Sequence, residues 1–202
     1  MTTTPQQNVS EKGPIFLASE SPRRIELLQQ LGLQFEVVNA PVEEVALPNE
    51  PPESYVLRIA IEKALSGFNK VAGKAIWVIG GDTVVMLNGR VFGKPKNEVD
   101  AFRMLSKLSG QTHEVLSAVA IVFDGEVFSA LNKTSVSFKD LSESEVMDYI
   151  KTEEPFGKAG SYAIQGLGAK FIKHIDGSYS AVMGIPLFEL NQLLEASGYH
   201  SA

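Results

Sequence analysis

Residues 15–28 read IFLASESPRRIELL. A short apolar run, Ile15 to Ala18, gives way to Ser19-Glu20-Ser21-Pro22, and a helical pattern then begins at two arginines. Ser21 suits the N-cap, and Pro22 suits the first helical position, where the missing N–H would have no intrahelical partner. A strand feeding a capped helix points free backbone N–H groups and a positive dipole end in one direction. Arg23 and Arg24 add planar guanidinium forks that match phosphate oxygens. The stretch therefore predicts a strand-to-helix step of an α/β protein with an anion site, phosphate first among the candidates. An ordinary junction with two solvated arginines has the same signature, so the decision falls to the rest of the chain.

Outward from this stretch, the helix carries Ile25, Leu28 and Leu31 and stops at Gly32, and Phe35 to Val38 reads as a strand. Residues 40–52 are a Pro-, Glu- and Asn-rich loop bearing Glu43 and Glu44. The pattern is helical from Glu53 to about Val71, and Ala75 to Ile79 reads as a short buried strand ending at Gly80-Gly81-Asp82-Thr83. Asn88-Gly89 and Asp124-Gly125 each separate two apolar runs and predict two hairpins. Asn97 caps a helix reaching Leu108, and Leu141-Ser142 opens another. Residues 153–168 are glycine-punctuated, followed by a strand at Phe171 to Ile175 and a helix from Pro186 to Ala196. Interleaved strands and helices with two hairpins predict an α/β fold with a mixed sheet, and no internal repeat or low-complexity linker interrupts it.

Composition narrows the function. The 202 residues suffice for one domain with a sizeable core, with 44% hydrophobic and 21% charged residues. A net charge of -6 argues against a broad nucleic-acid surface, so a basic site must be local and sized for a small phosphorylated ligand. The absence of cysteine excludes disulfides, thiolate metal ligands and a cysteine nucleophile. No apolar run is long enough to span a membrane, and residues 1–13 lack a signal-peptide core. They read as a disordered tail, 14–202 as a single domain, and the protein as cytoplasmic.

Several side chains stand out chemically. Asp82, at the expected strand end beside two glycines, suits either a divalent metal or a proton coming from an attacking water, and a turn cap is the structural alternative. Glu44, with Glu43 beside it, can supply a second carboxylate to a hard cation, or can be solvated loop charge. Lys63 sits mid-helix, Lys94 between Gly93 and Pro95, and Lys158 between Gly157 and Ala159, each a point charge for phosphate or a surface residue. His113 follows a helix end and reads as a structural histidine. Gln165, spaced by Gly160, Gly166 and Gly168, presents an acceptor beside donors that match uracil or thymine N3–H and O4, or else stabilises its loop.

Taken together, LASESPRRIELL (17–28), PVEE (41–44), IEKA (61–64), GGDTVV (80–85), GKP (93–95), LSGQTH (108–113), EPFGKAGSYAIQG (154–166) and IDGSYSAVMGIPL (175–187) resemble the Maf family of nucleotide pyrophosphatases. The motifs occur in the family's order and cover the chain after residue 13. KAGSYAIQG is similar to the branch that prefers dTTP and UTP. The resemblance implies a Maf/inosine-triphosphatase-like fold, a mixed twisted sheet flanked by helices with two lobes around a central cleft, in a single catalytic domain. It implies cleavage of a nucleoside triphosphate between the α and β phosphorus atoms, with a house-cleaning role and a link to septum formation. It implies Asp82 as proton acceptor, and Arg24, Thr83 and Gln165 as specificity positions. Ser19, Arg23, Glu44, Lys63 and Lys94 follow as ligand contacts, and Glu44 and Asp82 as holders of a divalent cation, Mg²⁺ or Mn²⁺. A homodimer with no nucleic-acid or membrane partner is the implied assembly. The alternatives are a nucleotide-binding regulator of cell division, or a pyrophosphatase for 7-methyl-GTP or inosine triphosphate. Gly81 departs from the family, where alanine is usual, and the first thirteen residues have no counterpart.

Overall fold

In the computed structural model, which describes residues 13–71, 73 and 75–199, the opening stretch forms strand β1 (Ile15–Leu17) and helix α1 (Pro22–Gln30). The tail expected at 1–13 lies, Gly13 apart, outside the described residues. Ser21 does occupy the N-cap of α1, but its hydroxyl makes no capping bond. Ser19 supplies the hydroxyl in this turn instead, accepting the Ser21 N–H at 3.3 Å.

The remaining strands are β2 (Phe35–Val37), β3 (Trp77–Leu87), β4 (Arg90–Phe92), β5 (Thr112–Phe123), β6 (Glu126–Phe138) and β7 (Ile172–Asp176). They form one sheet in the order β2-β1-β3-β5-β6-β7, with β4 also on β3. The β1 pairings with β2 and β3 are parallel and all others antiparallel, so the sheet is mixed, as the two hairpins require. Both hairpin turns hold positive φ at their two central residues, Asn88 (50°) with Gly89 (74°) and Asp124 (48°) with Gly125 (85°). These are the mirror-image turns whose twist matches that of the strands.

Helix α2 (Pro52–Phe68) covers one face of the sheet. The opposite face carries α1, α3 (Glu98–Leu108), α4 (Glu143–Ile150), α5 (Tyr179–Met183) and α6 (Leu187–Ala196). Period-2 alternation decides which side chain goes where. On β5, Leu116, Ala118, Ala120 and Val122 meet α2, whereas Val115 joins one cluster of the far face and Val119 and Ile121 another. Those two clusters are the cores of two lobes strung along the same long strands. One gathers Val85, Leu105, Phe138 and Tyr149; the other gathers Leu17, Leu28, Ile79 and Leu190. The cleft lies between them.

Two expectations are corrected. The strand read as stopping at Ile79 continues unbroken to Leu87, so Gly80, Gly81, Asp82 and Thr83 stand mid-strand, paired with Ala120, Ala118 and their neighbours on β5. Gly80 is there for packing rather than to end the strand: a Cβ at this position would collide with the Ala60 carbonyl and lie 2.6 Å from the Ala64 nitrogen on α2. The second correction is α5, a short helix that begins right after β7 and is capped by Ser178, whose hydroxyl accepts the Ala181 N–H. Five residues carry too little periodicity to announce a helix.

Candidate functional site

Strand β3 builds the site because one of its edges is open in the middle. Parallel β1 pairs with Trp77 to Ile79 and antiparallel β4 with Val85 to Leu87. Between them Gly80 to Val84 pair on the β5 side alone, among the described residues. A gap in the sheet with strand backbone at its floor exposes side chains from both faces to a single space. Asp82 reaches it from the α2 face and Thr83 from the other. The resulting cavity, about 710 Å³, is lined by Ser19, Arg23, Arg24, Glu44, Lys63, Asp82, Thr83, Lys94 and Gln165, every site residue expected from the sequence. Lys158 and Tyr55 line it too, whereas Glu43 and His113 do not.

At the floor, the buried Lys63 ammonium lies 2.8 Å from Asp82 Oδ1 and 2.6 Å from Glu44 Oε1. Glu44 also accepts from Lys94 at 3.2 Å. Burial works against ionising Glu44, but the bonds and charge of Lys63 and Lys94 outweigh it and bring its carboxyl down to about 2. Lys63 arrives here because α2 is an unbroken helix whose buried stripe, Val56, Ala60, Lys63, Ala64 and Gly67, runs along the sheet. Small Ala60, Ala64 and Gly80 let the backbones close up around it. Tyr55, from the same helix, is pushed up to about 12 by burial and by the negative charges of Asp82 and Glu44, so it stays a neutral phenol.

The wall formed by α1 is cationic. Arg24 donates Nε to the Gly184 carbonyl at 3.0 Å and Nη1 to Ser19 Oγ at 3.2 Å; Arg23 donates Nε to the Met183 carbonyl at 3.2 Å. The C-terminal end of α5 thus anchors both forks and aims them. Burial lowers the pKa of Arg23, and Arg24 lowers it further; Lys158 is lowered by burial and then by Arg23. Cations that hold one another's pKa down gain most when an anion arrives. The Gly184 carbonyl also accepts from Thr83 Oγ1 at 3.3 Å, and Thr83 Oγ1 lies 3.0 Å from the buried Ser117 Oγ. Gln165 Oε1 is enclosed and has no hydrogen-bond partner among the described residues.

His113 is structural. It is buried, its Nε2 lies 2.8 Å from the Tyr162 hydroxyl, and Phe138 packs edge-on against its ring. Sequence reasoning missed Ser117 and the Met183–Gly184 carbonyls. A lone serine in the otherwise apolar run 115–123 was a readable signal for the first, but no side-chain pattern reports backbone carbonyls.

No group of three or more His, Cys, Asp or Glu that could hold a metal occurs among the described residues. Nor is any helix among the described residues long and apolar enough to cross a membrane.

The chain is 57% identical over 190 residues to the dTTP/UTP pyrophosphatase of Hydrogenovibrio crunogenus, covering 94% of this chain and 99% of that protein. It is 51% identical to the dTTP/UTP pyrophosphatase of Pseudoalteromonas atlantica, over 89% of this chain and 95% of that one. It is 47% identical to that of Escherichia coli K12, over 89% and 91%. Among solved structures, the Staphylococcus aureus Ham1 protein aligns over 79% of each chain at 19% identity and a TM-score of 0.47. The sequence model of the Maf-like proteins matches residues 14–197, and the chain belongs to the Maf-like protein family.

Proposed function

We propose that this protein hydrolyses dTTP and UTP at the bond between the α and β phosphates, giving the nucleoside monophosphate and pyrophosphate. The observation that carries the reading is the Glu44–Lys63–Asp82 cluster on the open edge of β3, faced by the cations of α1. Relatives bearing the dTTP/UTP pyrophosphatase name across nearly their whole length support it.

The cluster also supports a divalent cation. Mg²⁺ is held by one or two carboxylates together with phosphate oxygens and waters, and Glu44 and Asp82 already share one cation, the Lys63 ammonium. Those two residues would hold Mg²⁺ or Mn²⁺, which supplies positive charge against the phosphate oxygens.

Phosphoryl transfer asks mainly for positioning and charge neutralisation. Arg23, Lys63 and Lys94 offset the triphosphate charge, and Ser19 steadies Arg24. Asp82 orients the attacking water and takes its proton as the new oxygen–phosphorus bond forms. The bridging α–β oxygen leaves with its electron pair on pyrophosphate, whose charge the same cations bear. Arg24, Thr83 and Gln165 select the nucleotide, Gln165 through the N3–H and O4 of uracil or thymine.

The test is Asp82→Asn, assayed for UTP binding by calorimetry and for pyrophosphate release. Binding within a few-fold of the parent, with turnover lowered by at least about a thousandfold, is expected. Retention of most turnover would move the proton acceptor elsewhere.

A further inference from the structure

The loop that carries Gln165 crosses from one lobe to the other: Tyr162 packs into the core built around Phe138, and Ile164 into the core built around Leu28. Its backbone is gripped from behind on both sides of Gln165. Glu154 Oε2 accepts the Leu167 N–H at 2.9 Å, and Oε1 accepts the Gly168 N–H at 3.0 Å and the Tyr149 hydroxyl at 2.8 Å. The Tyr149 oxygen in turn accepts the Ala163 N–H at 3.1 Å. One carboxylate–phenol pair therefore ties down residues 163, 167 and 168. The phenol is itself fixed, because the Tyr149 ring is buried on α4 and meets Phe171 edge-on at 4.9 Å.

The glycines of the loop agree with this grip. A Cβ at Gly166 would stand 2.6 Å from Glu154 Oε1, and one at Gly168 would stand 2.7 Å from the Tyr149 hydroxyl oxygen. Gly166 and Gly168 thus leave the space through which Glu154 and Tyr149 reach the backbone. Burial opposes the Glu154 charge, but the Leu167 and Gly168 N–H groups, Tyr149 and Lys158 outweigh it and hold the carboxyl below its usual range. An ionised acceptor makes the stronger, charge-assisted bonds.

We infer that Glu154, acting with Tyr149, is a positioning residue for base selection, holding Gln165 where it reads uracil or thymine and rejects cytosine. The inference rests on the proposed reading of Gln165. A glutamine amide turned end for end exchanges donor and acceptor, and so can match cytosine as well as uracil. No hydrogen bond among the described residues fixes the amide oxygen itself, so its aim rests on the backbone that carries it. Glu154→Gln replaces an acceptor of three bonds by an amide whose NH₂ must face one of the same donors, which lets the loop shift and the amide adapt.

The experiment measures kcat and KM for UTP and CTP in Glu154→Gln, Tyr149→Phe and Gln165→Ala, and in Gln165→Ala combined with each of the others, with Tm recorded for every variant. The UTP-to-CTP ratio of kcat/KM is expected to fall about tenfold in Glu154→Gln and about threefold in Tyr149→Phe. The UTP loss should lie mainly in KM, and neither change should add to that of Gln165→Ala. Should Glu154→Gln fail to fold, Tyr149→Phe decides alone. If Gln165→Ala changes the ratio while folded Glu154→Gln and Tyr149→Phe leave it within twofold, the positioning role is overturned and the base-reader reading survives. An equal fall in the Gln165→Ala background also overturns it, because Glu154 then acts through something else. An unchanged ratio in Gln165→Ala alone removes the base-reader reading, and the positioning role with it.

Discussion

Gly80→Ala is the perturbation whose consequence follows most directly from the packing of α2 on β3. The added Cβ meets backbone, not a flexible side chain: it collides with the Ala60 carbonyl and stands 2.6 Å from the Ala64 nitrogen, whereas ordinary contact begins near 3.4 Å. Helix α2 must therefore lift by about 1 Å, or β3 must bend by as much, because interiors this dense do not absorb volume elsewhere. Overpacking of this kind costs about 1–3 kcal/mol. Lys63 rides on the lifted segment, one turn from Ala60, and its bridge to Asp82 and Glu44 stretches with it. A displacement of about 1 Å at a catalytic group costs on the order of a hundredfold in rate. Gly81→Ala is the internal control. Its Cβ points to the other face, 3.3 Å from the Ala118 carbonyl and 3.5 Å from Arg24 Nε, which a shift of a few tenths of an ångström accommodates. Urea denaturation and pyrophosphate release from UTP should show Gly80→Ala destabilised by about 2 kcal/mol and slowed by one to two orders of magnitude. Gly81→Ala should stay within about 1 kcal/mol and a few-fold of the parent. If the two variants behave alike, or Gly81→Ala is the worse, the account of how α2 positions Lys63 is wrong.

Other outcomes follow from the same contacts. Lys63→Ala leaves the buried Asp82 without its cation and should cost about 3 kcal/mol in urea titrations as well as most turnover. Lys94→Ala, with that side chain 60% exposed and, among the described residues, bonded to Glu44 alone, should change stability by less than about 0.5 kcal/mol and mainly raise KM for UTP. Arg24→Lys loses the fork shared between Ser19 and the Gly184 carbonyl, and should lower kcat/KM for UTP by about 10–100-fold with the fold intact by circular dichroism. Burial lowers the His113 pKa from 6.5 to about 4, so between those values the unfolded chain binds a proton that the folded one refuses. Stability should therefore fall as the pH drops through this window, by about 3 kcal/mol in all. His113→Gln should flatten that slope in denaturation curves taken from pH 7 to pH 4.

The chemistry of the cleft was legible in the sequence because its carriers are side chains set in rigid local contexts. Ser-Pro-Arg-Arg opens a helix, Lys63 interrupts a buried stripe, and Asp82 follows two glycines. The hairpins were legible because Asn-Gly and Asp-Gly need positive φ and adopt it at low cost. What escaped was set by tertiary contact. The run through Gly80 and Gly81 looked like a strand end because glycine is a poor strand former, and only the approach of α2 explains why it belongs mid-strand. Ser21 looked like the capping hydroxyl, but it makes no capping bond, and the Ser19 hydroxyl accepts the N–H of Ser21 itself rather than one of the helix's first turn. The carbonyls of Met183 and Gly184, which aim both arginines, belong to the last residue and the C-cap of a five-residue helix with no periodic signal. The glycine spacing around Gln165 carried no sign of its cause, which is that Gly166 and Gly168 make room for Glu154 and Tyr149.

The central claim, that an open strand edge flanked by Asp82 and the α1 arginines cleaves dTTP and UTP at the α–β bond, is tested most directly by product analysis. UTP, dTTP, CTP, GTP and 7-methyl-GTP are each incubated with the protein and Mg²⁺ or Mn²⁺, and the nucleotide and phosphate products are quantified by mass spectrometry. The account predicts nucleoside monophosphate and pyrophosphate in equal amounts from UTP and dTTP, with the other three turned over at least about tenfold more slowly, which corresponds to about 1.4 kcal/mol or more of discrimination. Release of nucleoside diphosphate and inorganic phosphate, equal turnover of all five, or no turnover of UTP would contradict it.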